Sequence, residues 1–260
     1  MKNLRVTIIQ TDIAWEDKTA NLQLLQSKID NIQEPTELVI LPEMFNTGFS
    51  MQPAPLAETM DGETIQWMKK IAKAKKIILT GSLIIKEGDD YFNRLIWMLP
   101  TGEMGIYDKR HRFAFAGEDR QFAAGRKKLI ASANGWKINV QVCYDLRFPV
   151  WARQMPADNY YDVLIYVASW PEKRIHAWKT LLQARAIENQ CYVIGVNRVG
   201  KDGNDIYYNG ESMIVDPLGE ILYNQQDRED VFTTSLDKEH LAQIRNRFPF
   251  LKDADNFKIL

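Results

Sequence analysis

Short apolar segments of strand length alternate with amphipathic segments of helical length along this 260-residue chain. Strands are predicted at 4–10, 37–41, 76–86, 91–99, 103–108, 136–142, 162–168, 191–197 and 230–235. Helices are predicted at 18–32, 62–75, 174–189 and 237–246, where apolar residues recur at helical spacing. Such alternation, combined with hairpins, favours one mixed sheet or two packed mixed sheets, with helices on the outside.

Short polar links predict the hairpins. Residues 87–90 and 100–102 each join two strand segments, and Asp216–Gly219 forms a turn within 211–223. No linker rich in proline, glycine or serine divides the sequence, and it contains no internal repeat. A single domain over residues 1–260 is therefore predicted.

Composition excludes several classes of function. The 33 basic and 34 acidic residues give a net charge of -1, which argues against a nucleic-acid partner and against a polybasic membrane anchor. The N-terminal apolar run is too short and too polar for a signal peptide, and no stretch approaches the ~20 apolar residues that span a bilayer. The two cysteines, Cys143 and Cys191, do not suggest a disulfide framework. These observations predict a cytoplasmic protein.

Cys143 is the first candidate for a reactive residue. It ends the alternating strand 136–142, and Pro149 soon afterwards suits the first turn of a helix. A cysteine between a strand and a helix would lie on a tight turn, with backbone N–H groups directed at a developing oxyanion. The alternative is a buried structural cysteine, which is common. Cys191 lies inside an apolar strand and is assigned to the core.

An acid and a cation also follow strand ends. Glu43 comes directly after strand 37–41 and Pro42, among apolar neighbours. Desolvation there would disfavour the carboxylate form of Glu43 and raise its pKa, as a general base requires. Lys109 follows strand 103–108, and beside a cysteine it would favour the thiolate and stabilise a tetrahedral intermediate. For both residues the alternative is a solvated side chain on a surface loop.

Together the three segments resemble the nitrilase superfamily of carbon–nitrogen hydrolases. The matching stretches are 41–45 (LPEMF), 47–49 (TGF), 107–111 (YDKRH), 142–149 (VCYDLRFP), 197–200 (NRVG) and 216–220 (DPLGE). One motif alone is weak, but the order and spacing of the glutamate, lysine and cysteine segments match the superfamily. The resemblance covers nearly the whole chain.

The resemblance implies an α/β fold, specifically a four-layer αββα sandwich of two mixed β-sheets flanked by helices. It also implies a homodimer or a larger assembly, and no metal or organic cofactor. In this scheme Glu43 takes the thiol proton and Cys143 attacks an amide carbonyl, forming a thioester that water hydrolyses. Lys109 and the backbone N–H of Tyr144 stabilise the oxyanion. Glu118 is the counterpart of a second glutamate that orients the lysine or the substrate, with a plain loop acid as the alternative.

Within the superfamily, three stretches look closest to omega-amidases. They are 143–149 (CYDLRFP), 117–122 (GEDRQF) and 169–171 (SWP). Omega-amidases hydrolyse the terminal amide of small 2-oxo dicarboxylic monoamides, such as 2-oxoglutaramate and 2-oxosuccinamate. The resemblance therefore implies a small-molecule amide as substrate.

A substrate carboxylate requires a cation, and a bidentate arginine suits it best. We predict Arg174 as this clamp, because the loop after strand 162–168 should border the pocket. Arg147 is predicted instead to pair with acids around the cysteine. Phe115, Phe49 and Trp170 are predicted to wall the pocket.

Other functions remain open from the sequence. An N-carbamoyl amidase, an aliphatic amidase and a nitrilase share Glu43, Lys109 and Cys143, and pocket shape would separate them. A non-catalytic binding module with this fold is a second class of function. The presence of Glu43, Lys109 and Cys143 argues against it. A glutaminase subunit that feeds ammonia to a synthetase is a third possibility. No metal site is predicted, because the histidines lack metal-ligand spacing, although His111 could support the site.

Overall fold

The computed structural model describes residues 2–155 and 160–259. Its strands, in chain order, are β1 (Leu4–Gln10), β2 (Leu38–Ile40), β3 (Ile78–Glu87), β4 (Asp90–Met98), β5 (Met104–Asp108), β6 (Ile130–Ala133), β7 (Trp136–Val142), β8 (Val163–Val167), β9 (Tyr192–Val196), β10 (Val199–Lys201), β11 (Tyr207–Val215), β12 (Ile221–Gln226) and β13 (Asp230–Leu236). Its α-helices are α1 (Lys18–Asp30), α2 (Pro53–Leu56), α3 (Glu63–Lys75), α4 (Glu118–Gln121), α5 (Pro149–Ala152), α6 (Ile175–Asn189) and α7 (Lys238–Arg247). Short 3-10 turns lie at Ala114–Ala116, Cys143–Arg147, Glu172–Arg174 and Phe250–Asp253.

The strands form two mixed sheets. The first has the order β13-β1-β2-β3-β4-β5, in which β1, β2 and β3 are parallel and the other neighbours antiparallel. The second has the order β10-β11-β9-β8-β7-β6, with β12 paired to β11, and its parallel strands are β7, β8 and β9. Each sheet thus carries its parallel strands in the middle, and the loops that follow their carboxyl ends lie close together.

Apolar side chains of both sheets form the central core. Val6 and Ile8 of β1 belong to the same buried cluster as Val140 of β7 and Ile165 of β8. The opposite face of the first sheet packs against α1 and α3, and α6 packs against the outer face of the second sheet. Gly195 permits this close contact, because a Cβ there would lie 2.6 Å from the ring of Trp178. The predicted four-layer αββα arrangement is confirmed.

The predicted elements agree closely with the structure. The four predicted helices and nine predicted strands are present, with ends within two residues, and the three hairpins form as expected. Prediction missed β6 (Ile130–Ala133) and β10 (Val199–Lys201), which are short and carry few large apolar residues; pairing with β7 and β11 holds them in the sheet. Within the described residues, no helix is both long enough and apolar enough to cross a membrane.

Candidate active site

The segments that follow β2, β5 and β7 bring the predicted acid, cation and cysteine together. Lys109 Nζ lies 2.8 Å from Glu43 Oε1 and 2.9 and 2.8 Å from the two carboxylate oxygens of Glu118. All three charged side chains are buried, and Cys143 is buried beside them. A buried charge requires close partners of opposite charge, and the two carboxylates supply them for Lys109. The arrangement therefore concentrates ionisable groups around one thiol.

Cys143 lies on a strained turn between β7 and the following 3-10 turn. Its φ of 42° falls in the left-handed region, which non-glycine residues rarely adopt and which costs free energy. Asp145 stabilises the turn, because one of its carboxylate oxygens accepts the backbone N–H of Val142 at 3.0 Å. The Sγ atom lies 4.0 Å from the carbonyl oxygen of Ser169. The cysteine is thus held on a tight turn, as the sequence predicted.

Asp145 is itself fully occupied by donors from the first sheet and its following loop. The hydroxyl of Tyr107 donates to it at 2.7 Å, and the backbone N–H of His111 donates at 2.9 Å. The His111 ring Nδ1 lies 2.8 Å from the same carboxylate, and the ring stacks on Phe148 with centroids 3.9 Å apart. His111 therefore supports the cysteine turn through Asp145.

The prediction that Arg147 pairs with an acid near the cysteine is wrong. Asp145, two residues before Arg147, accepts hydrogen bonds from Tyr107, His111 and Val142 instead, and Arg147 has no carboxylate within ion-pair distance among the described residues. Its guanidinium instead lies over the ring of Trp170, 4.9 Å from the centroid. Arg147 consequently lines the cavity in front of the cysteine.

Burial and charge determine the protonation states of the site. Burial raises the pKa of Cys143 well above its usual value, the negative charge of Glu43 raises it further, and Lys109 only partly offsets both effects. Burial alone would lower the pKa of Lys109, but Glu118 and Glu43 outweigh it and raise that pKa. Burial likewise raises the pKa of Glu118, against the attraction of Lys109. The raised pKa of Cys143 favours the neutral thiol, so its activation requires a base, while the raised pKa of Lys109 favours the ammonium.

A loop from the second sheet closes the site behind Glu43. The backbone N–H of Ser169 donates to Glu43 Oε2 at 2.8 Å. The next residue, Trp170, is fixed by the side chain of Asn197, which accepts its N–H at 2.7 Å and donates to its carbonyl at 2.9 Å. Sequence reasoning assigned no role to Asn197, although the residue lies in a stretch that carried the resemblance and directly follows an apolar strand.

Sequence reasoning also missed Asn93. This side chain of β4 donates to Glu43 Oε1 at 2.8 Å and to Glu118 Oε1 at 3.3 Å. The available signal was one amide side chain within the predicted strand 91–99. Polar side chains that are buried in a sheet are almost always hydrogen-bonded.

A cavity of about 330 Å³ opens in front of Cys143. This volume is at the small end of the range for small-molecule sites, about 300–1,000 Å³. Its wall includes Trp15, Phe49, Phe113, Cys143, Arg147, Ser169, Trp170, Arg174 and Tyr208. The structure therefore places the predicted residues Arg174, Trp170 and Phe49 at the cavity.

Phe115 is not part of this wall, and its prediction as a pocket residue is wrong. Its side chain is 88% exposed, whereas Phe113 and Ala116 line the cavity. The segment Ala114–Ala116 is a 3-10 turn, in which residues three apart share a face, so Phe113 and Ala116 point inward together. The ring of Phe113 packs against Tyr144, with centroids 5.0 Å apart.

Two guanidinium groups give the cavity a positive charge. Arg174 lies over the ring of Phe113 at 5.0 Å, as Arg147 lies over Trp170. Neither arginine has a carboxylate within ion-pair distance among the described residues. Asp202 also borders the cavity, but its carboxylate accepts hydrogen bonds from Asn204, Ile206 and Tyr208. The stacked arginines are therefore available to an anionic ligand. Over the described part of the chain, no cluster of three or more histidine, cysteine or acidic side chains could hold a metal ion.

Comparison with known proteins gives consistent results. The family model described as Carbon-nitrogen hydrolase matches residues 5–246. The chain is 41% identical to "Omega-amidase YafV" of Yersinia enterocolitica, with 100% of both chains covered. It is 30% identical to "2-oxoglutaramate amidase" of Bacillus subtilis, with 95% of this chain and 96% of the relative covered. Among solved structures, XC1258 from Xanthomonas campestris, described as a CN-hydrolase superfamily protein with an arsenic adduct in the active site, superposes with a TM-score of 0.97 at 42% identity over 100% of both chains.

Proposed function

The chain belongs to the carbon–nitrogen hydrolase family, and from that premise we propose that it is an omega-amidase. It is a cysteine-dependent hydrolase of carbon–nitrogen bonds in amides. The substrates we propose are 2-oxoglutaramate and 2-oxosuccinamate, which would yield the 2-oxo dicarboxylate and ammonia. The observation that carries this proposal is that Arg147 and Arg174, neither of which has an ion-pair partner among the described residues, line a small cavity together with Cys143.

We propose Cys143 as nucleophile and Glu43 as general base. The thiol proton passes from Sγ to Glu43 as sulfur bonds to the amide carbon, and the carbonyl electron pair moves to oxygen. Glu43 then returns the proton to the leaving nitrogen, the C–N bond breaks and ammonia departs. In the second half water attacks the thioester carbon and gives a proton to Glu43, the C–S bond breaks to release the carboxylic acid product, and Glu43 returns the proton to the sulfur. The raised pKa of Cys143 supports this scheme, because a neutral thiol needs an adjacent base.

We propose Lys109 as the cation that stabilises the oxyanion, together with the backbone N–H of Tyr144. Tyr144 is the second residue of the 3-10 turn Cys143–Arg147, and the first N–H groups of such a turn have no partner within it. Donors fixed before the reaction stabilise developing charge without reorganisation. Glu118 holds the ammonium from the other side, with both carboxylate oxygens within 2.9 Å of Nζ, so its proposed role is to orient Lys109.

Arg174 and Arg147 are the proposed binding site for the carboxylate end of the substrate. Stacking over Phe113 and Trp170 fixes the planes of the two guanidinium groups and leaves their N–H edges free to form bidentate bonds. A dicarboxylic monoamide bound there would present its terminal amide to Cys143. Trp170 would pack against the carbon chain of the substrate.

We further propose a homodimer in the cytoplasm, built from single-domain chains. Exposed apolar side chains on α6 and the β11–β12 hairpin support association: they are Ile187, Leu218, Ile221 and Leu222. Cys143 and Cys191 are both unpaired, which is compatible with a reducing compartment. Light scattering coupled to size-exclusion chromatography would measure the mass; a monomer at micromolar concentration would contradict the dimer.

The test of the substrate is ammonia release from 2-oxoglutaramate, measured beside glutamine, a simple aliphatic amide, an N-carbamoyl amino acid and a nitrile. We expect rapid release from the 2-oxo monoamide and at least tenfold lower kcat/KM for the others. An N-carbamoyl amino acid also carries a carboxylate that the arginines could bind, so it is the most informative competitor. Preferential turnover of that compound would replace the omega-amidase assignment with an N-carbamoyl amidase.

The arginine pair predicts a charge-specific loss of binding. Arg174→Met and Arg147→Met should each raise KM for 2-oxoglutaramate by about 10- to 100-fold, because a hydrogen bond to a charged group contributes about 1.5–3 kcal/mol. Steady-state kinetics would measure the change, and turnover of a neutral aliphatic amide should alter little. Lys173→Met, at the exposed residue beside Arg174, is the matched control. Equal losses for charged and neutral substrates would contradict a carboxylate-binding role.

A further inference from the structure

Asn93 is a buried amide side chain inside the first sheet, and it is only 1% exposed. It lies in β4, opposite Ile84 of β3. Its backbone carbonyl accepts the N–H of Lys109 at 3.0 Å, so the same residue contacts the lysine through the main chain and the two carboxylates through its side chain. Asn93 does not line the cavity.

The contacts of Asn93 use only the donor half of its amide. Nδ2 carries two hydrogens, and its bonds to Glu43 Oε1 and Glu118 Oε1 use one hydrogen each. The amide oxygen Oδ1 has no hydrogen-bond partner among the described residues. Turning the amide over would place this oxygen against two carboxylates, which is repulsive. The orientation of Asn93 is therefore determined by the two acids.

These bonds also leave a specific acceptor position free on Glu43. A carboxylate has about four lone-pair positions, two on each oxygen. On Glu43, Oε1 accepts from Lys109 and Asn93, while Oε2 accepts from the backbone N–H of Ser169. The remaining position is on Oε2, the oxygen on the side of Ser169, whose carbonyl oxygen lies 4.0 Å from the Cys143 sulfur. Asn93 thus fills the second acceptor position of Glu43 Oε1, so the unoccupied lone pair of Glu43 is left on Oε2, where it can accept the thiol proton.

Asn93 also affects the balance of charge between Lys109 and the two buried glutamates. Among the described residues, Glu43, Glu118, Lys109 and the Cys143 thiol are ionisable groups that face one another here, and Tyr208 also lies within electrostatic range of Glu43. The Lys109 ammonium is ion-paired with both carboxylates. Like charges at this distance favour protonation, whereas a hydrogen-bond donor favours the ionised form. Asn93 supplies a donor to both acids without adding a charge. We propose that Asn93 is a positioning residue for the general base, which holds Glu43 ionised and aligned towards Cys143.

The inference rests on the proposed role of Glu43, and its test uses two variants of similar size. Asn93→Leu removes both donor bonds, and Asn93→Asp replaces the donor with a third carboxylate. We expect the acid-side midpoint of kcat/KM to rise by about one pH unit in Asn93→Leu, which equals about 1.4 kcal/mol, and by more in Asn93→Asp. Turnover at the pH optimum should fall about tenfold through misalignment of the base, with KM nearly unchanged because Asn93 lies outside the cavity.

A second readout does not depend on the substrate. The alkylation rate of Cys143 by iodoacetamide, followed by mass spectrometry across pH, reports proton transfer from the thiol, and buried Cys191 serves as an internal reference. In the Asn93 variants, the acid-side midpoint of the Cys143 alkylation rate should rise in parallel with the midpoint of kcat/KM. A shifted alkylation profile without turnover of any 2-oxo monoamide would support the role of Asn93 while rejecting the omega-amidase assignment.

Asn139→Leu is the matched control. Asn139 of β7 is also 1% exposed, and its amide oxygen also has no hydrogen-bond partner among the described residues, which likewise show no hydrogen bond from Asn139 to Glu43 or Glu118. It should lower stability without moving either midpoint. Midpoints that stay at the wild-type pH in folded Asn93→Leu and Asn93→Asp would overturn the proposal and leave Asn93 a structural residue. If Asn93→Leu does not fold, the isosteric Asn93→Asp decides the outcome.

Discussion

Cys143→Ala is expected to abolish hydrolysis while the protein remains folded. The loss should be on the order of 10⁵-fold or more in kcat, as for removal of a nucleophile that acts with its base as a unit. The change deletes one buried sulfur and leaves the turn held by Asp145, so the free energy of unfolding should change by about 1 kcal/mol or less. Ammonia release and thermal unfolding would be measured on the same preparation.

Cys191→Ala is the control for this experiment. Cys191 is buried just before β9 and contacts none of the site residues described above. Its replacement should cost about 1 kcal/mol of stability through a small cavity, with kcat unchanged. Full activity in Cys143→Ala, or its loss in a folded Cys191→Ala, would require a different nucleophile.

Lys109→Met is expected to reduce both turnover and stability. Loss of one preorganised stabiliser of an oxyanion costs about 2.7–4 kcal/mol, which corresponds to a 10²–10³-fold lower kcat. Removal of one member of a buried ion pair costs about 3–5 kcal/mol in folding free energy, because Glu43 and Glu118 remain buried without their counter-ion. Steady-state kinetics and urea unfolding would measure the two effects.

The loss of stability in Lys109→Met should depend on pH in a defined direction. Burial raises the pKa of Glu118, and loss of the Lys109 ammonium removes the attraction that opposes this effect, so Glu118 binds its proton more tightly in the folded than in the unfolded state. Stability contributed by such groups is present at low pH and is lost as pH rises through the folded pKa. The difference from wild type should therefore be smaller at pH 5 than at pH 8.

Lys179→Met provides the comparison for Lys109→Met. Lys179 pairs with Glu211 at 3.1 Å, but its side chain is 38% exposed. Because water screens such a pair, its removal should cost less than about 1 kcal/mol and leave kcat unchanged. Similar losses in the two variants, or a loss in Lys109→Met that does not depend on pH, would contradict the interpretation of Lys109 as the buried counter-ion of the site.

Much of the fold was readable from local patterns. The period of two in β7 and the helical spacing in α3 depend on residues close in sequence, since side chains alternate across a strand and recur every 3.6 residues on a helix. Glu43, Lys109 and Cys143 were proposed because each directly follows a predicted strand, and reactive side chains in such folds gather beyond strand ends. Their burial and the Lys109–Glu43 and Lys109–Glu118 bonds came from the structure.

The walls of the cavity could not be predicted in the same way. No sequence feature distinguishes Phe113 from Phe115 as a cavity residue. A single 3-10 turn decides which of the two rings faces the cavity. Trp15 and Tyr208 reach the same cavity from segments almost 200 residues apart, so no local pattern connects them. The direction of a side chain on a loop depends on such turns, and these depend on contacts made elsewhere in the fold.

The sequence by itself determined the layered architecture and the family and supplied the candidate reactive residues, because these follow from short-range periodicity, from short motifs and from residue types at strand ends. Only the tertiary structure decided the partners of the charged and amide groups. Arg147 lines the cavity while Asp145 accepts hydrogen bonds from Tyr107, His111 and Val142, and β4 places the Asn93 amide against the buried carboxylate of Glu43. Hydrogen-bond partners are exclusive, since a saturated acceptor excludes further donors, and this competition among distant residues is settled only when the chain has folded.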